Sequence, residues 1–428
     1  MEIRAFRGWR YRSGADGDVS AYIAPPYDVL SAGDKEELLS RSGNNIVAVD
    51  MPHVPADSQG PDEVYQAAAA RLDQWRSQGV IRQESAPAVY AYQQQYAWAG
   101  RIRRRTALIC GVRATALGED VIPHEHTFPG PKADRLRLMQ CTGMQLSPVL
   151  GFYRDQSGRA GELLAEAATA PPQARGRLGD AEERLWVIRD QRVIGELADL
   201  LRNERVIIAD GHHRYTTALD YRDSLADGGR LPADHEANFA MFALVAKDDP
   251  GLLILPTHRI IRDLASDFSM EALASSAKEF SWQSCEPDRS LHDADALLRP
   301  FGRGAMGFIP AGARQLWIAR LTNPDAMRQV ASDQVEARRR LDVAVLHNLL
   351  IENHLRPWWT ERTAIGYTAA LSEVLDACRP GGGALGICLQ PATLQEVEDV
   401  AFAGATMPHK STYFYPKLST GWVLKPLT

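Results

Sequence analysis

The apolar positions of this chain come in short runs and alternations, never in a long continuous stretch. From Pro61 to Gly79 the residues Val64, Ala67, Ala68, Ala70, Leu72 and Trp75 recur at helical spacing, which predicts an amphipathic helix. Ser31 followed by Lys35, Glu36 and Glu37 reads as the capped start of a shorter helix reaching Leu39. Ala88 to Trp98 and Arg103 to Arg113 alternate with period two on either side of Ala99-Gly100, which predicts two strands joined by a tight turn. Trp186 to Arg189 and Val206 to Ala209 are apolar runs of strand length. Phe239 to Lys247 and Leu252 to Leu255 flank Asp248-Asp249-Pro250-Gly251, a strong turn signal that predicts a strand pair.

After about residue 262 the chain becomes richer in Ala, Leu and Glu. Helices are expected near 270–279, 334–356 and 366–378, then a strand at Ala384 to Leu389 and a helix at Thr393 to Gly404. The expected organisation is a domain over 1–262 and a second α/β domain over 263–428. The fold class is mixed α/β.

Composition narrows the partners. Lys and Arg number 48 against 54 Asp and Glu, for a net charge of −6, a poor balance for gripping a phosphate polymer. No nucleic-acid partner is expected. No run is long and apolar enough to span a bilayer, and Met1 to Arg12 lacks an apolar leader segment, so neither a membrane nor a signal peptide is expected. The five cysteines, Cys110, Cys141, Cys285, Cys378 and Cys388, form no C-x-x-C pair. They read as reduced thiols in a cytoplasmic protein.

Three segments carry candidate chemistry. Val206-Ile-Ile-Ala-Asp210-Gly211-His212-His213-Arg214 runs from a strand through a glycine turn into a helix. That arrangement aims backbone N–H groups and the helix dipole at one point and so favours an anion. The side chains of His212, His213 and Arg214 add donors. The second segment is Pro123-His124-Glu125-His126-Thr127, followed by a Pro/Gly loop with Lys132 and Arg135. A carboxylate there can act as a general base, and the two cations can neutralise phosphate. The third is Met407 to Lys417, dense in donors and aromatics, in which Lys410, Ser411 and Thr412 are placed to reach a substrate or a phosphate.

Other readings compete. His124, His126, His212, His213, Asp210 and Glu125 are metal-ligand types, which keeps a metal-dependent hydrolase as a third reading, although the helical H-E-x-x-H pattern is absent. Gly381-x-Gly383-x-x-Gly386 imitates a dinucleotide fingerprint, but a helix precedes it and a strand follows, the reverse of what that fingerprint requires. There is no phosphate-binding P-loop and no nucleophile elbow.

Ala24-Pro-Pro-Tyr27-Asp28-Val-Leu-Ser31, Pro123-His-Glu-His-Thr127, Asp134-Arg-Leu-Arg-Leu138, Ala209-Asp-Gly-His-His-Arg-Tyr215, Leu255-Pro-Thr-His-Arg259 and the Met407–Lys417 segment occur in this order. In that order they resemble the Domain of Unknown Function 1015 family over nearly the whole chain. More distantly, Pro-His-Glu with a downstream Asp-Gly-His-His-Arg is similar to the free serine kinases of the ParB/sulfiredoxin-like superfamily. That likeness implies a nucleotide-binding core of that type with helical additions and a C-terminal α/β piece closing over the site. It implies Glu125 as catalytic base and Asp210 as a second catalytic residue that orients magnesium. Gly211, His212, His213 and Arg214 would cradle the phosphates with Lys132 and Arg135. His124, Thr127, Tyr27 and Asp28 would join Lys410, Ser411 and Thr412 around the substrate.

The leading expectation is therefore a small-molecule kinase with an alcohol acceptor, such as serine or a related hydroxy amino acid. It would use ATP or ADP with Mg2+. A non-catalytic nucleotide-binding switch of ParB type is the alternative. The oligomeric state is left open, a homodimer included. About 80 residues separate the Glu125 loop from the Asp210 turn, so the fold must bring the two together.

Overall fold

A computed structural model describes residues 1–12, 17–226, 229, 231–286, 294–312, 315–382 and 384–427. The chain is mixed α/β and divides into two units. The first comprises Met1–Leu253 and Pro416–Thr428, and the second Ile254–Tyr415. The division falls ahead of residue 262, where composition changes. The reason is that His258–Leu264 is already an inner strand of the second unit's sheet.

The first unit is built on a nine-stranded mixed sheet. In chain order its strands are β1 (Ile3–Arg4), β2 (Val89–Trp98), β3 (Arg101–Arg113), β4 (Val121–Ile122), β5 (Val149–Tyr153), β6 (Ala174–Leu178), β7 (Ala181–Ile188), β8 (Val206–Asp210) and β9 (Phe239–Ala246). The spatial order is β4-β8-β5-β9-β3-β2-β7-β6, with β1 beside β3. β2 and β3 form the expected hairpin. Its two turn residues, Ala99 and Gly100, have φ of 49° and 71°, the doubly positive pair that a twisted two-residue hairpin demands.

Helices of this unit are α1 (Ala32–Arg41), α2 (Val47–Asp50), α3 (Asp62–Ser77), α4 (Pro129–Thr142), α5 (Arg159–Ala167), α6 (Gln191–Leu201) and α7 (His212–Ala226). Ser31 caps α1 in a reciprocal capping box with Asp34. Leu163 and Leu164 of α5 and Leu197 and Leu201 of α6 pack with Val89, Leu108 and Val112 of the sheet. Each such fully buried leucine contributes roughly 1.5–3 kcal/mol.

One expectation changes here. Phe239–Ala246 pairs with β3 and β5 instead of folding back on the segment after Gly251. Asp249 explains it: its carboxylate accepts from the backbone N–H groups of Thr106 (3.0 Å) and Gly251 (2.8 Å) and ties the turn to β3. Of the arginines that follow the hairpin turn, Arg105 is buried while Arg101 and Arg104 are exposed.

The second unit has a six-stranded sheet with strands β10 (His258–Leu264), β11 (Phe280–Cys285), β12 (Ala305–Pro310), β13 (Leu316–Leu321), β14 (Trp359–Thr368) and β15 (Ala384–Cys388), in the order β11-β13-β12-β15-β10-β14. The expected helix over 366–378 shortens to Leu371–Ala377, because Ile365 to Thr368 pair with His258 to Ile261 as strand. The helix expected over 334–356 is broken into Glu336–Arg339 and Asp342–Ala344, the latter running into a π-helical stretch, Val345–Leu355. The glycine pattern near 381 includes Gly383, which lies outside the described residues. No cysteine forms a disulfide, and Cys110, Cys378 and Cys388 are buried. Among the described residues no helix is long and apolar enough to cross a membrane.

Candidate active site

The two expected motif loops leave the same edge of the first unit's sheet. β4 and β8 are adjacent and parallel, with Val121 opposite Val206 and Ile122 opposite Ile207. The Pro123–Thr127 loop follows β4 and the Gly211 turn follows β8, so both emerge at carboxyl ends of neighbouring parallel strands. Ligands of α/β sheets collect at such ends. Glu125 Oε2 stands 3.9 Å from His212 Nδ1.

The loops are pinned to one another by their histidines. The His124 ring is wholly buried and its Nδ1 donates to the Ile208 carbonyl (2.5 Å). The His124 backbone N–H donates to His212 Nε2 (3.2 Å), and the two rings meet edge-on at 82°. The Phe128 N–H donates to His213 Nε2 (2.8 Å). Each Nε2 therefore accepts, which places the proton of each neutral ring on Nδ1. For His212 that proton is on the side of Glu125. Burial keeps all three rings neutral: His124 is pushed down to about 4, and His212 and His213 are lowered, His212 well below the usual histidine range. The histidines act here as hydrogen-bonding groups and carry no charge at neutral pH.

Asp210 ends β8. Its Oδ2 accepts from Arg214 (2.6 Å) and its Oδ1 from Lys417 Nζ (2.6 Å). Burial pushes its carboxyl up, but Lys417 and Arg214 outweigh that and hold it well below the usual carboxylate range. Arg214 is itself turned inward, donating also to the Pro148 carbonyl. Gly211 has φ +95°, and a Cβ there would lie 2.8 Å from Arg214 Nε, so glycine is required by both the turn and the arginine beneath it. The first N–H groups of α7 lack intrahelical acceptors and carry the positive end of the helix dipole.

Lys417 is the residue that pattern reading left unassigned, although it closes the Met407–Lys417 segment. A buried network delivers it. Arg105 donates to the Pro416 carbonyl (2.7 Å), and Gln94 Nε2 donates to the Lys417 carbonyl (3.1 Å) and to Glu183 (2.8 Å). Glu183 also accepts from Ser419 and from the Trp422 indole (2.7 Å).

The remaining expected residues fall in several places. Arg135 is buried under the Tyr27 ring, its guanidinium carbon 3.9 Å from the ring centre, and donates to Asp134 (2.7 Å) and to the Asp50 carbonyl. Asp134 in turn is held by His53 and Tyr65, each at 2.6 Å. Lys132 pairs with Asp220 of α7 at 2.7 Å. Asp28 is exposed and Thr127 half-buried. Lys410, Ser411 and Thr412 belong to the second unit.

Magnesium at Asp210 does not suit this arrangement, because each carboxylate oxygen already faces a cation at 2.6 Å. Among the described residues no three His, Cys, Asp or Glu side chains gather to hold a metal ion.

The family model described as "Protein of unknown function (DUF1015)" matches residues 3–344. The chain belongs to the DUF1015 family. Its DUF1015 span includes both motif loops and stops short of Lys417. No curated protein matches the chain. Solved structures similar to this DUF1015 chain include a free serine kinase variant in complex with ADP, at 11% identity and TM-score 0.34, covering 72% of this chain and 87% of that one. A conserved hypothetical protein from Pyrococcus furiosus matches at 12% and 0.32, covering 73% and 92%. SbnI with a C-terminal truncation, from Staphylococcus aureus, matches at 11% and 0.33, covering 72% and 84%.

Proposed function

We propose that the protein is a nucleotide-dependent kinase that phosphorylates the hydroxyl of a small molecule such as a hydroxy amino acid. The observation that carries this reading is the 3.9 Å approach of Glu125 to His212, which puts a carboxylate beside the start of α7. Glu125 takes the proton of the acceptor hydroxyl. The acceptor oxygen forms a bond to the terminal phosphorus of ATP or ADP, and the bond from that phosphorus to the bridging oxygen breaks, releasing the shortened nucleotide. Gly211, His212 and His213 hold the phosphates through backbone N–H groups and Nδ1 protons. Asp210, Arg214 and Lys417 keep the turn in place. Phosphoryl transfer asks the protein mainly for position and charge. Magnesium, when bound to the nucleotide, would neutralise phosphate charge.

The test is turnover of ATP and of ADP with magnesium and a panel of hydroxy amino acids. Glu125→Gln should lower the rate about 10²–10⁴-fold with nucleotide affinity kept. A rate equal to wild type ends this reading.

A second reading, a nucleotide-binding switch without transfer chemistry, is favoured by one observation. Asp210 is fully occupied by Arg214 and Lys417, as a structural acid would be. It is distinguished by nucleotide-driven dimerisation in light scattering without any product.

A further inference from the structure

Among the described residues of the first unit, Phe128 is the one exposed Phe, Tyr or Trp side chain, with 52% of its surface open. It stands beside the Gly211 turn. Its backbone N–H donates to His213 Nε2 (2.8 Å). Its ring centre lies 6.1 Å from that of the His213 imidazole, and the two planes are 26° from parallel.

The backbone under this ring is fixed. Phe128 is the N-cap of α4, and Pro129 and Pro131 restrict the chain that follows. A Cβ at Gly130 would collide with the Asp57 carbonyl, so the chain at Asp57 packs directly on the first turn of α4. Lys132, four residues beyond Phe128, pairs with Asp220 of α7 at 2.7 Å. α4 and α7 therefore run in the same sense from adjacent starts, Phe128 at one and His213 at the other. The positive ends of two helix dipoles meet next to an aromatic ring that faces water.

A nucleotide has two unlike ends that suit this pairing. Its phosphates seek backbone N–H groups and positive potential, and its base offers a flat π-face that stacks on an aromatic ring. A hydroxy amino acid has no such face, so the acceptor does not account for the ring. We propose that Phe128 is the platform for the nucleobase, which stacks on the solvent side of the ring while the phosphates take the N–H groups at the Gly211 turn. The proposal rests on the nucleotide binding that both readings above share. It adds the residue that makes the site prefer a nucleotide to bare pyrophosphate.

The test is calorimetric titration of the full chain with ADP and with inorganic pyrophosphate, each with magnesium, in wild type, Phe128→Ala and Phe128→Tyr. Wild type should bind ADP more tightly than pyrophosphate. Phe128→Ala should weaken ADP by about 5–150-fold, the range for loss of one base–aromatic stack, and leave pyrophosphate within about twofold. Phe128→Tyr keeps the π-face and should hold ADP within about threefold of wild type. Melting curves check the fold; should Phe128→Ala unfold, Phe128→Leu takes its place, with the same split between ADP and pyrophosphate expected. Equal weakening of ADP and pyrophosphate would make Phe128 a mere support for the His213 turn and overturns the proposal, as does ADP affinity unchanged in Phe128→Ala. Absence of ADP and ATP binding in wild type ends both nucleotide readings and the platform with them. The expected split without phosphoryl transfer from ATP or ADP ends the kinase reading and leaves the platform in place. Transfer with ADP affinity indifferent to Phe128→Ala does the reverse.

Discussion

Lys417 Nζ and Asp210 Oδ1 stand 2.6 Å apart although 207 positions separate them in sequence. Their side chains are only 18% and 15% exposed, so this is a largely buried ion pair, completed by Arg214 on the other oxygen. Removing one member of such a pair typically costs about 3–5 kcal/mol, because the other charge is left without compensation.

Lys417→Met should therefore destabilise the protein by about 3 kcal/mol in urea denaturation at pH 7. The pH sign follows from Asp210. Its folded carboxyl lies below the unfolded value, so its stabilisation is present above about pH 3.9 and is lost as pH falls through the lower folded value. In Lys417→Met that loss moves to higher pH. Superimposable wild-type and variant acid limbs would contradict the assignment.

Gly211→Ala meets two obstacles, φ of +95° and a Cβ 2.8 Å from Arg214 Nε. The backbone term alone is about 1–2 kcal/mol. The expected outcome is a lower melting temperature together with at least about tenfold weaker nucleotide binding, since the turn that presents the α7 N–H groups is displaced. Unchanged nucleotide affinity would remove this turn from the binding site.

Trp422→Phe deletes the indole N–H that donates to Glu183 at 2.7 Å and replaces a buried bicyclic ring by a smaller one. Leaving a buried acceptor without its donor typically costs about 1–3 kcal/mol, and a loss of at least that size is expected in denaturant unfolding because ring volume goes too. Hydrogen exchange should quicken over residues 416–424, Lys417 included. Protection equal to wild type would show that the Glu183 network does not hold this segment.

His124 gives a second pH signature. Its folded value of about 4 lies below the unfolded 6.5, so the unfolded chain binds its proton first. Stability is complete above pH 6.5 and is lost as pH falls towards 4, by about 3 kcal/mol for this ring. His124→Asn should flatten the melting temperature between pH 6.5 and 4 relative to wild type. An equally steep curve would place the titration elsewhere.

What could be read from the sequence was what is local. The hairpin at Ala99-Gly100, the capped helix after Ser31 and the strand–turn–helix at Gly211 depend on neighbouring residues, and their patterns predicted them. The meeting of Glu125 with His212 is non-local, yet it was suggested by two apolar runs that each end in a polar loop. Arg105, Glu183 and Asp50 gave no such signal. A charged residue in a strand or helix carries no mark of burial until its partners are known, and theirs lie far along the chain. The strand at Ile365–Thr368 was misread for a related reason, since its pairing with His258–Ile261 overrides weak helical spacing.

The return of Pro416–Thr428 to the first unit has a consequence for synthesis. When the ribosome has extruded the first 253 residues, the large sheet can form, but Asp210 has no lysine and Glu183 no indole. Another 162 residues, the entire second unit, must emerge before the closing segment reaches its place. A transcript cut short before codon 417 would thus yield a protein with the motif loops present and their electrostatic keystone missing.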